Sequence, residues 1–402
     1  MCIRDRSETF TYPVKLHQVT DSTEIKSVKF LGEDGDLLTS GAIIREPRMI
    51  EITLESTKNV GKVEVKSGDD DSFADVAPVT NTESVKRVYS VTAKIQIPTD
   101  ANIASKNFSG LKIVVYEKDT NTILSDNKSI KDIKYDATAP EVKNPVIQKK
   151  KNGSSTWEDV ADGSLETAIV TELDTEYRYM VEVTDDLSGV AKVSSDKGDF
   201  TFESGNKYVF NIPSGELNAT LPYSVAVSAI DNAGNPSTTL TLRGVTKIDD
   251  TLCVDKCVIT DAAGNDVTSD VLAGKNTNEK YQLEVTASSA YVIQKFELIA
   301  GGTNDQTKDV AASANQQDTN SHRYSTTVKF ELPAKTNINA QLDSMYLNVI
   351  DGNAQKIRYP QDASKTLGTI LYDRTNPTVS INEANDSTWY KDCLLYTSPS
   401  PR

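Results

Sequence analysis

The chain has 402 residues, room for two to four domains of ordinary size, and carries a formal charge of −15. Hydrophobic residues make up 37% and aromatics only 7%, which suits several small domains better than one large core. The acidic balance, with no stripe of Lys and Arg, excludes nucleic acid as a partner. The absence of any apolar window of about 18 residues leaves this stretch of chain without a membrane span.

In chain order, the first segment is the opening MCIRDR, which continues no pattern of its neighbours. Like the closing CLLYTSPSPR, it resembles translated sequencing-adapter read-through. Residues 1–6 and 393–402 are therefore expected to be artefactual, which removes Cys2 and Cys393 from the thiol count. The natural protein is expected to continue past both ends.

Residues 7–135 form the first predicted domain. Ile50, Ile52 and Leu54, then Leu111, Ile113 and Val115, alternate with polar neighbours at period two, the signature of strands with one buried face. Glu117 breaks the second row and predicts a bulge or slip. Residues 136–248 repeat the pattern with Tyr179, Val181 and Val183, then Tyr223, Val225, Val227 and Ala229. Residues 249–372 do so again with Tyr281, Leu283 and Val285, then Met345, Leu347 and Val349. Residues 373–392 read as the start of a truncated fourth domain. The longer middles of the first and third units, roughly 68–85 and 301–322, predict extended loops or an extra edge hairpin.

The landmarks recur at near-constant spacing, the mark of an internal repeat. Asp-x-Thr stands at Asp136, Asp249 and Asp373, 113 and 124 residues apart. An apolar-Pro dipeptide ends a strand at Pro98, Pro213 and Pro333, followed after 21, 18 and 18 residues by turn residues Asp119, Asp231 and Asp351. Each interval holds one sandwich of immunoglobulin size.

With these repeats, the chain resembles the tandem bacterial immunoglobulin-like domains of surface proteins and adhesins. The phrases that carry the resemblance are DATAP at Asp136–Pro140, VTDDLSGVAKV at Val183–Val193 and VSAIDNAGNPS at Val227–Ser237. The third unit has TASSAYVIQKF at Thr286–Phe296 in place of the Asp-rich turn, and the first unit diverges most. The resemblance implies an all-β fold of tandem sandwiches. It also implies an extracellular, cell-surface spacer or adhesive stalk whose ligand would be a host-surface, matrix or glycan component.

No residue constellation points to catalysis. His17 and His322 fall in different units, whereas a nucleophile–histidine centre needs its members within hydrogen-bond reach. Cys253 and Cys257 are the remaining thiols. A turn could close them into a local disulfide, but an extended strand would hold them too far apart. The second-to-third and sixth-to-seventh strand loops of such a sandwich share one end, which the lead-in chain also approaches. Asp136, Asp185, Asp186 and Asp231 would converge there and offer calcium the hard oxygens it takes. The same residues also serve as ordinary turn formers. No other cofactor is indicated. Accessory sandwich modules of a secreted polysaccharide-degrading enzyme remain the alternative to a structural and adhesive stalk.

Overall fold

A computed structural model describes residues 20–31, 37–38, 43–68, 71–77, 79–84, 87–163, 167–335 and 339–378. The stretches 1–6 and 393–402, most of 373–392, and Cys2, His17, Trp389 and Cys393 lie outside them. The described residues are nearly all β, with 54% in strands and 3% in helix, in multiple small sheets, none of them closed. It divides into two units, Met1–Ile248 and Asp249–Arg402. Two hydrophobic clusters lie in the first unit and one in the second. No helix among the described residues is long and apolar enough to cross a membrane.

The first cluster is enclosed by two antiparallel sheets. One runs Leu37–Leu38, Thr23–Leu31, Arg48–Ser56, Tyr89–Ile97, Thr80–Glu83, and the other Ile123–Ser129, Lys112–Glu117, Val60–Lys66, Ser72–Ala74. Alternation dictates the inner faces: Ile50, Ile52 and Leu54 from one sheet meet Ile113 and Val115 from the other, all buried. The ladder slips between Tyr116 and Glu117, where the charged residue interrupts the apolar row.

The same order recurs around the second cluster. Its five-stranded sheet runs Glu158–Asp162, Glu141–Lys151, Thr175–Thr184, Lys207–Asn211, Thr201–Ser204, and its four-stranded sheet runs Gly198–Asp199, Val190–Ser195, Ala226–Asp231, Leu240–Thr241. In the second unit the sheets are Cys253–Thr260, Tyr281–Ser289, Tyr324–Leu332, Gln316–Gln317 and Gln306–Asp309, Ile293–Ile299, Tyr346–Asp351, Lys356–Tyr359. The long middle segments of the first and third repeats supply one edge strand to each sheet, Ser72–Ala74 with Thr80–Glu83 and Gln306–Asp309 with Gln316–Gln317. The second repeat reaches both edges with far less chain.

A closing strand completes each repeat by pairing in parallel with a short strand from its early part. Ile133–Asp136 lies beside Ile43–Ile44, Val245–Thr246 beside Ile169–Val170, and Thr369–Tyr372 beside Ala273–Thr277. Each Asp-x-Thr motif therefore begins where a closing strand ends.

In the second repeat the two sheets are also tied by one hydroxyl. Tyr179, fully buried in the first sheet, points its Oη at the carbonyls of Tyr223 (2.8 Å) and Arg243 (2.6 Å) across the core. Burial pushes this phenol far above its ordinary range, so it stays a donor at any pH the fold survives. Tyr179→Phe keeps the ring but takes the hydroxyl donor from the Arg243 carbonyl, while the Tyr223 carbonyl keeps the Val245 N–H (2.8 Å). The substitution is expected to destabilise the first unit by about 1–3 kcal/mol in urea unfolding.

Candidate functional site

The clearest convergence of polar groups lies inside the first unit, where the chain passes from its first core to its second. Asp136, the last residue of the closing strand, is buried. Its Oδ1 accepts the backbone N–H of Thr138 (3.1 Å) and the Thr138 hydroxyl (2.6 Å), while Oδ2 accepts the N–H of Ser188 (2.9 Å). Its carbonyl accepts the side-chain amide of Asn235 (2.8 Å). One residue thus binds its own turn, the second-to-third strand turn and the sixth-to-seventh strand turn of the following sheets.

Asp185 and Asp186 stand in the first of those turns, between Thr175–Thr184 and Val190–Ser195. Asp185 Oδ2 accepts the N–H groups of Leu187 (3.2 Å) and Gly189 (2.6 Å), whereas its Oδ1 is buried with no hydrogen-bond partner. Asp186 is exposed; its Oδ2 accepts the Ser105 hydroxyl (2.7 Å), and its Oδ1 lies against the Thr138 hydroxyl. That hydroxyl has one proton and faces two carboxylates, Asp136 and Asp186.

One oxygen from each of Asp136, Asp185 and Asp186 falls in a group whose members all lie within 4.8 Å of one another. Like charges so close repel, and among the described residues none of the three is ion-paired. The cluster has the hard-oxygen chemistry that calcium takes, with Ser and Thr hydroxyls beside it. Asp231, the fourth sequence candidate, stands outside it. Its carboxylate is committed to the N–H and side-chain amide of Asn235, both at 2.7 Å, and it acts by holding that amide against Asp136.

The second unit solves the same problem with a built-in cation. Asp249 Oδ1 accepts the N–H (3.1 Å) and hydroxyl (2.7 Å) of Thr251, repeating the turn of Asp136 and Thr138. Where the first turn faces two acids, this one faces Arg323, whose guanidinium lies 3.1 Å from Asp249 Oδ2 and donates to the carbonyls of Thr251 and Ser288. Gln355, four residues after the buried Asp351, donates to the carbonyl of Asp250 (3.2 Å), as Asn235 does to Asp136. The third copy, Asp373 with Thr375, forms the same turn in an exposed setting.

The local disulfide considered for Cys253 and Cys257 is not made. Both are free thiols on one strand, Cys253–Thr260. Four residues of strand span about 13 Å, far beyond the 4.4–6.8 Å between bridged Cα atoms. Cys257 packs against the core, and burial pushes its thiol up to about 12. His322 lies in a turn with its backbone at φ 56° and its carbonyl accepting Gln317 Nε2. Sequence reasoning missed Ser105, Thr138, Ser188, Asn235 and Arg323. The recurrent Asp-x-Thr and the Asn or Gln four residues after a turn Asp were the signals that could have found Thr138 and Asn235.

No protein-family model matches the chain, and no curated protein does. Among solved structures it is similar to the sialic acid binding region of a Streptococcus sanguinis adhesin, at 11% identity, with 73% of this chain and 96% of that one covered and a TM-score of 0.18. It is also similar to the eight N-terminal Ig domains of Down Syndrome Cell Adhesion Molecule (7% identity, 89% and 57% covered, TM-score 0.17). A third is E. coli alpha-2-macroglobulin in its native conformation (11% identity, 83% and 22% covered, TM-score 0.16). Likenesses this faint carry no inference about ligand or activity.

Two outcomes are expected of this site. Titrating calcium into the chain should raise the melting midpoint of the first unit, by about 2.7 kcal/mol of stability at a hundredfold excess over Kd. Asp185→Asn should abolish the rise, and a midpoint indifferent to calcium removes the metal reading. The second outcome concerns acid. Burial pushes the Asp136 carboxyl up, but hydrogen bonds from Thr138 and Ser188 outweigh it and hold the group below its ordinary 3.8. A lowered folded value means stability fully present above about pH 4 and lost as pH falls through that value. The stability gap between the chain and Asp136→Asn should therefore narrow in acid, measured by unfolding at a series of pH values.

Proposed function

We propose that the chain is a non-catalytic stalk segment of a bacterial extracellular surface protein, built of tandem immunoglobulin-like sandwiches. The strand order supports the sandwich reading. In each repeat one sheet takes the first, second, fifth and fourth principal strands and the other takes the third, sixth and seventh with one further edge strand beside the third, an immunoglobulin-like order. The observation that carries the stalk reading is the Asp-x-Thr turn, remade with the same hydrogen bonds at Asp136, Asp249 and Asp373. In the first unit the aspartate of that turn is buried and bonded to both following loops, so the passage between the two cores is a fastened joint. A spacer needs such a joint to transmit tension and hold an adhesive part at a distance. Ligand contacts, on this reading, belong to loop tips or to other parts of the parent protein.

Pulling the full chain by its ends in a single-molecule force experiment should give three unfolding events. Each should release roughly 35–40 nm of contour length, set by repeats of this size. Extension without discrete resistance contradicts a load-bearing stalk. Immobilised polysaccharides test the alternative, because a pure spacer passes through, whereas retention favours an accessory carbohydrate-binding module.

A further inference from the structure

The first repeat has a cleft of about 470 Å³ between the margins of its two sheets. One wall is the strand Thr23–Leu31 from Ile25 to Phe30, and the other is the segment Lys128–Lys131 at the end of Ile123–Ser129. Ile25, Val28 and Ile130 are partly buried and pack on the core, giving the cleft an apolar floor. Its rim holds Lys26, Lys29, Lys128 and Lys131, all exposed, on a chain whose net charge is −15. Lys26 is paired with Glu24 and Glu55; among the described residues the other three have no ion-pair partner.

Among the described residues both walls are open sheet edges. Thr23–Leu31 ladders to Arg48–Ser56 with one bulge between Ile25 and Ser27, and on its other side, among the described residues, it meets only Leu37–Leu38, at Phe30 and Leu31. Ile123–Ser129 ladders to Lys112–Glu117 alone. Unpaired edges template strand addition, in which main-chain bonds give affinity and alternate side chains give selectivity. Among the described residues the one aromatic ring lining the cleft, Phe30, is 8% exposed, and they present no platform for stacking on a sugar.

The chain itself carries a complementary strand. Glu158–Asp162, with the sequence EDVAD, is the edge of the second repeat's five-stranded sheet and, among the described residues, ladders only to Glu141–Lys151. It brings three acids in five residues, with Glu158 exposed and Val160 38% exposed. We propose that the lysine-rimmed cleft of one chain takes the Glu158–Asp162 edge strand of a second copy, with the exposed Glu158 and Asp159 carboxylates to the lysines and Val160 toward the apolar floor. The two surfaces differ, so the contact is heterologous. A strand this short covers well under 1,000 Å², which makes the association weak and reversible.

Sedimentation equilibrium of the full chain tests this. The weight-average mass should rise with protein concentration at about 50 mM salt and return to the monomer at about 500 mM. Reversing Lys128 and Lys131 to Glu should weaken self-association about tenfold, as should reversing Glu158 and Asp159 to Lys. An equimolar mixture of the two reversed chains, each first shown to be folded by circular dichroism, should associate again. A chain that stays monomeric at every concentration overturns the proposal and leaves the lysines as edge protection. So does association unaffected by either reversal, or a mixture that fails to recover. Loss of binding to an anionic polysaccharide such as hyaluronate in the lysine variant, with self-association intact, also overturns it and assigns the cleft to a glycan.

Discussion

When a chain leaves one β-sheet and starts another, its backbone passes through a region that the second fold then covers, and every N–H and C=O buried there needs a partner. In this protein Asp136 meets that need. Its carboxylate holds the turn that follows it and caps the N–H of Ser188, while its carbonyl is taken by Asn235. The closing strand of the first repeat, the start of Glu141–Lys151 and two loops of the second repeat all depend on this residue. An aspartate is suited to the position because it offers acceptors from both side chain and backbone within one residue.

The charge this solution concentrates must be balanced locally, and the two units do so differently. Arg323 brings a guanidinium to Asp249 and uses its remaining N–H groups on nearby carbonyls, so the second unit is neutralised by its own covalent structure. The first unit gathers Asp136, Asp185 and Asp186 with, among the described residues, no ion-pair partner, and leaves Asp185 Oδ1 buried without a donor. A divalent cation would relieve that arrangement, whereas acid would not, because protonating Asp136 gives up the hydrogen bonds that hold its carboxyl below the ordinary range.

Much of the fold was legible because period-two alternation is a direct consequence of strand geometry. The rows Tyr179, Val181, Val183 and Tyr281, Leu283, Val285 are all buried, as their spacing requires. The slip at Glu117 was legible for the same reason, since a carboxylate cannot continue an inner row. The site was only partly legible. Asp136, Asp185 and Asp186 come together, but the commitment of Asp231 to Asn235 was hidden. The phrase Asp-x-x-Gly-Asn occurs both at Asp231 and at Asp261, with the same internal bonds and a glycine at φ 92° and 86°. Only the first lies where its amide can reach a lead-in carbonyl. Arg323 was invisible because its partners, Asp249 and Ser288, are 74 and 35 residues away. The cysteine bridge failed on a local question, turn or strand, which the bulge between Val254 and Lys256 left undecided in the sequence.

The parallel pairing of each closing strand bears on how these repeats respond when their two ends are drawn apart. Ile133–Asp136 runs in the same direction as Ile43–Ile44, so tension toward the amino end on one and the carboxyl end on the other slides them lengthwise. Rungs loaded in this way share the strain and give way together, whereas an antiparallel hairpin pulled at its open end parts one rung at a time. The same geometry holds for Val245–Thr246 and for Thr369–Tyr372. A few residues of parallel ladder in each repeat would thus be loaded in shear once tension has passed the antiparallel strand that precedes them in the chain.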